Sequence, residues 1–109
     1  MQATPWERDR LLIFTAAELA RRHHAAGLRL NHPEAVAIIC DTMLEVARAG
    51  ASYEAVVAAG RSALTEDDVM EGVRAILDEI RLEVLLDEGS RLIVLRDPLG
   101  PGPDPVLGR

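Results

Sequence analysis

The stretch Gly27-Leu28-Arg29-Leu30-Asn31-His32-Pro33-Glu34 constrains the fold more than any other part of the chain. Gly27 can take the positive φ that closes a helix, and Asn31 four residues later is a strong helix N-cap. Pro33 suits a first helical turn, where its missing N–H leaves nothing unpaired, and Glu34 can reach back to the Asn31 N–H to complete a capping box. One helix must therefore stop and another start within these eight residues. Neither a strand nor one continuous helix can run through them.

The same punctuation recurs along the chain. Thr4, Pro5 and Glu7 read as a capping box, so a first helix starts at Pro5 and runs to Gly27. Leu12, Thr15, Ala16, Leu19 and His23 recur along it at helical spacing, with Leu11 and Phe14 on a neighbouring stripe, which predicts a wide apolar face. The second helix runs from the Asn31 cap to Gly50, with Ala35, Ile38, Ile39, Thr42, Met43 and Val46 as its buried stripe. Ser52 caps a shorter third helix ended by Gly60. Thr65, with Asp68 three residues on, opens a fourth whose inward face is Val69, Val73, Ile76, Leu77 and Ile80.

From Arg81 the period changes. "RLEVLL" and "RLIVLR" are β-prone runs separated by "DEGS", where Gly89 can supply a positive φ, so a hairpin is expected. Two strands alone are marginal in water and must pack on the helices or on another chain. Consecutive apolar residues, Leu85-Leu86 and Leu92 to Leu95, predict apolar side chains on both faces, which points to a partner. The expected architecture is α+β, four helices followed by a C-terminal β-hairpin, over residues 1–99. Residues 100–109, rich in proline and glycine, read as a flexible tail that a partner could order.

Composition narrows the function classes. The chain is 49% hydrophobic but only 3% aromatic, so its core is aliphatic, and 109 residues suffice for one domain. A net charge of −6 argues against nucleic acid, whose phosphates demand clustered cations. All twelve basic residues are arginine, which removes Schiff-base lysines and carbamylated-lysine metal bridges from consideration. A single cysteine, Cys40, cannot form an internal disulfide and sits in an apolar helical run, so it reads as a buried small hydrophobe. With neither a signal peptide nor an apolar run of membrane-spanning length, a cytoplasmic location without membrane association is expected.

Two groups of residues invite a catalytic or metal reading. The three histidines, His23, His24 and His32, lie near Glu34, but two adjacent helical histidines point roughly 100° apart and cannot easily share an ion. The alternative for His23 or His24 is the negative end of the first helix dipole. Glu66, Asp67, Asp68 and Glu71 lack the spacing of a calcium loop, and acids belong in a first helical turn. No catalytic, cofactor-binding or metal residue is assigned on this chain.

The ordered motifs carry a resemblance. "ATPWERDRLLIFTAAELARR", "GLRLNHPEAVAII", "GRSALTEDDVMEGV" and "DEGSRLIVLRDPL" follow one another as in the gamma subunit of bacterial urease, from residue 1 to about 99. The resemblance implies a non-catalytic structural subunit that assembles with beta and alpha subunits into a trimer of heterotrimers hydrolysing urea to ammonia and carbamate. It implies that nickel is held by the alpha subunit, and that this chain binds no cofactor and is inactive alone. Departures from the family pattern are Val46 and Ala49 for glycine and aspartate, Arg74 for proline, Val84-Leu85-Leu86 for "ATF", and Arg96 for histidine. The change at Arg74 predicts a fourth helix that runs on smoothly. A stand-alone homologue that self-associates through its hairpin is the alternative function. An independent metalloenzyme built on the histidines and acids is a third.

Overall fold

The protein is described from a computed structural model covering residues 5–100. Its elements are α1 (Pro5–Ala25), α2 (His32–Arg48), α3 (Tyr53–Ser62), a 3-10 turn (Glu66–Asp68), α4 (Val73–Ile76), β1 (Glu79–Leu86) and β2 (Gly89–Arg96). The α+β order of four helices and an antiparallel hairpin matches the expectation.

α2 is the centre of the molecule. It packs against α1, α3 and β1, while β2 rests on α3. Ile39 and Met43 are fully enclosed, and Ala35, Ile38, Cys40, Leu44 and Ala47 are buried around them. Its start is the capping box read from the sequence: the Glu34 N–H donates to Asn31 Oδ1 and the Asn31 N–H donates to Glu34 Oε1, both at 2.9 Å. Gly27 and Gly50 provide the stops at φ 87° and 94°. Leu30, between α1 and α2, joins a short parallel bridge with Val69, its N–H donating to the Asp68 carbonyl and its carbonyl accepting the Met70 N–H.

The hairpin turns at Asp87-Glu88, with Gly89 at φ 117° immediately after. Ile80 pairs with Leu95 and Leu82 with Ile93 on the inner face, which carries buried Ile80, Val84, Leu86, Ile93 and Leu95. The outer face is mixed: Leu85, Leu92 and Val94 stand among Arg81, Glu83 and Ser90. Packing one face on the helices answers the instability of an isolated hairpin.

Three expectations are corrected. The apolar stripe of α1 faces outward: Leu11, Leu12, Phe14 and Leu19 are all exposed, and the helix meets the core through Ala17, Ala20 and half-buried Ile13. Hydrophobic periodicity locates a stripe but cannot say which way it points, and small side chains let α1 approach α2 closely. Gly60 does not end α3, which continues to Ser62. The fourth helix is one turn long. Thr65 and Asp68 frame only a 3-10 turn, Val69 is extended against Leu30, Gly72 breaks the path at φ 89°, and β1 takes Ile80 into the sheet. Arg74 therefore extends nothing, and Ile76 is 64% exposed, although Val69, Val73, Leu77 and Ile80 are buried as read. The Thr4 cap and the tail beyond Gly100 lie outside the described residues.

Candidate functional site

The histidine-rich stretch joins three segments. Adjacent positions at the end of α1, about 100° apart around the helix, send His23 and His24 to different partners. The His23 Nδ1 meets Glu34 Oε2 at the start of α2, and His24 Nε2 lies 2.9 Å from Asp68 Oδ1 on the 3-10 turn. His32 lies apart from both, lining a shallow apolar groove with Leu12, Ile13, Val36 and Leu82. Among the described residues, no three histidine, cysteine or acidic side chains gather as ligands for one ion.

Both carboxylates are held below their ordinary range. For Glu34 the first cause is the Asn31 N–H, then the hydrogen bond with His23; burial opposes them. For Asp68 it is the Thr65 N–H at 2.8 Å, against which burial works, with His24 and the Thr65 hydroxyl adding to the lowering. Of the other acids in that run, Glu66 accepts from Arg74 Nε at 3.3 Å. Cys40 is buried, and its thiol is pushed up to about 11 by burial first and by the Asp41 charge second. A thiol that stays protonated at neutral pH is a poor nucleophile.

The strongest polar constellation was not read from the sequence. Asp41, 2% exposed, sits midway along α2 with an arginine on each carboxylate oxygen: Arg10 Nη1 at 2.8 Å from Oδ1 and Arg21 Nη2 at 2.6 Å from Oδ2. Arg10 also reaches Glu45 at 2.6 Å, and Arg21 reaches Glu18 at 3.0 Å. Asp41 and its Glu18 contact raise the Arg21 pKa against a smaller effect of burial. The signal was present: an acid set among the apolar residues of a buried helix face needs a cation, and Arg10 and Arg21 stand three turns apart on one helix face.

What the molecule presents outward is apolar surface. Leu12 is 67% exposed, and Trp6, Leu11, Phe14 and Leu19 extend the same helix's exposed surface. Leu85 and Leu92 do so on the hairpin. Apolar side chains are thus left outward on both α1 and the hairpin.

The profile of the family described as "Urease, gamma subunit" matches residues 1–99. The chain belongs to that family. Among its relatives are the "Urease subunit gamma/beta" of Streptomyces avermitilis, 54% identical over 102 residues, and that of Streptomyces coelicolor, 53% identical. Each alignment covers 94% of this chain and 45% of the relative, so the chain spans under half the length of the relatives it matches.

In this urease gamma chain the Gly27–Glu34 motif is the joint between α1 and α2, and His23 and His24 just before it tie α1 to Glu34 and Asp68. The family departures fall in several environments. Val84 and Leu86 are core residues, and Leu85 between them is exposed. Arg96 is exposed, 3.2 Å from Glu79 across the hairpin, and its carbonyl accepts from Arg61. Ala49 is the C-cap of α2. No helix of the described residues is long and apolar enough to cross a membrane.

Proposed function

We propose that this chain is a structural, non-catalytic part of a cytoplasmic urease, assembling with alpha and beta subunits as a trimer of heterotrimers that hydrolyses urea to ammonia and carbamate. The observation that carries the reading is the family match across residues 1–99, coupled to apolar surface left outward on α1 and the hairpin. The donor chemistry supports placing nickel in the alpha subunit. His23 and His24 are each engaged by a separate carboxylate, His32 faces apolar neighbours, and the Cys40 thiol is held protonated, so these residues do not fit a nickel ion. Residues 1–99 form the assembling domain, and 100–109 act as a tail.

Co-expression with urease beta and alpha chains tests the reading. The expected result is one large complex that contains this chain and hydrolyses urea, while the chain purified alone does not. Failure to co-purify at physiological salt would reject the assembly role.

A further inference from the structure

We propose that α1 is a latched arm: a helix held on the domain by ion pairs across a thin apolar seam, which leaves and returns as a unit while α2, α3 and the hairpin stay folded. The inference is independent of the urease reading.

Three observations carry it. First, the apolar seam of α1 is thin. Among its described side chains only Ala17 and Ala20 are buried, with Ile13 half-buried against the core, whereas α2 buries Ile38, Ile39, Met43 and Leu44. Second, five side-chain ion pairs cross from α1 to the remainder: Arg10 and Arg21 to Asp41, Arg10 to Glu45, His23 to Glu34 and His24 to Asp68. Third, among the described residues α1 is continuous with the domain only through the segment 26–31. Its departure interrupts neither the β1–β2 ladder nor the packing of α2 on α3.

The geometry makes the latch all-or-none. Asp41 has both oxygens committed, one to each arginine, and is too buried for water to replace either. A helix peeled halfway, with Arg10 gone and Arg21 still seated beside the 26–31 connection, leaves a carboxylate oxygen desolvated and unpaired. The stable states are therefore both arginines seated, or α1 away and Asp41 hydrated.

Native-state hydrogen exchange on the full chain, followed amide by amide with increasing sub-denaturing guanidinium, tests this. In the wild type, hydrogen-bonded amides between Ile13 and Arg22 should exchange at least about tenfold faster than those of Ile39 to Leu44, with a weaker denaturant dependence, as a sub-global opening requires. Asp41→Asn keeps the shape but weakens both pairs. It should speed α1 exchange by a further tenfold or more, with a smaller change in α2. Equal wild-type rates and denaturant slopes in the two helices would overturn the proposal. So would an Asp41→Asn effect that is the same in both or absent from α1. If that variant does not fold, the wild-type comparison alone decides.

Discussion

Gly60 shows how one residue can carry two different signals. In a sequence it reads as a helix stop, yet its backbone stays helical and its missing side chain is what matters. A Cβ built there would lie 2.6 Å from Met43 Sδ, 2.9 Å from Met43 Cγ and 3.0 Å from Leu95 Cδ2. Met43 and Leu95 are both fully buried, so neither can swing into solvent to make room. Alanine would gain about 1 kcal/mol of helix propensity, while overpacking of this kind typically costs about 1–3 kcal/mol. The expected outcome for Gly60→Ala is a net loss of up to about 2 kcal/mol, read as a lower guanidinium midpoint with an unchanged slope. A midpoint equal to or above the wild type would show that the contact with Met43 relaxes freely. Reducing the methionine in the same background, as Gly60→Ala with Met43→Val, should recover part of the loss if the clash is its cause.

At the scale of elements, the legible parts of the fold were those written in local chemistry. The Asn31–Glu34 box, the Gly27 and Gly50 stops and the β-prone runs around Gly89 each act within a few residues, and each is found where it was read. What escaped depends on distant partners. The direction of the α1 stripe follows from which face reaches Asp41, and the fourth helix is cut short because Val69 and Ile80 are claimed by Leu30 and Leu95. In the histidine stretch the caps were legible, but the pairing of His23 with Glu34 and His24 with Asp68 needed the tertiary fold. The capping box also has a pH signature. The Glu34 carboxylate is depressed from its ordinary value of 4.5, so its stabilising contribution is complete above that value and is lost as pH falls through the lower folded-state pKa. Asp68, depressed from 3.8, behaves alike at more acid pH. Glu34→Gln keeps a capping side chain but loses the charge, and should cost about 1 kcal/mol at pH 7. That difference should shrink towards zero as pH falls below 4.5 and the wild-type carboxylate protonates. Unfolding free energies measured across this range in both proteins check it, and a gap that stays constant would mean the charge is irrelevant to the cap.

For the whole molecule, the question is what the outward apolar surface does. Burial has been arranged around α2, so the leucines of α1 and the hairpin's outer face contribute little to the fold, while a solitary monomer gains nothing from exposing them. This separation between folding and contact surfaces can be tested by adding charge to each outward face. Leu12→Glu and Leu92→Glu, at 67% and 53% exposure, should each shift stability by no more than about 0.5 kcal/mol, because neither side chain leaves a packed environment. In co-expression with urease beta and alpha chains, a glutamate seated inside an interface would be desolvated without a partner, so recovery of the complex should drop about tenfold or more. The comparison must be made between two well-folded proteins, and the far-UV spectra and denaturation midpoints of the isolated variants establish that. Undiminished recovery with Leu12→Glu would place the contact surface away from α1, and the same result with Leu92→Glu would remove the hairpin face. If both variants assemble normally, the exposed apolar surface is not how this chain meets a urease partner.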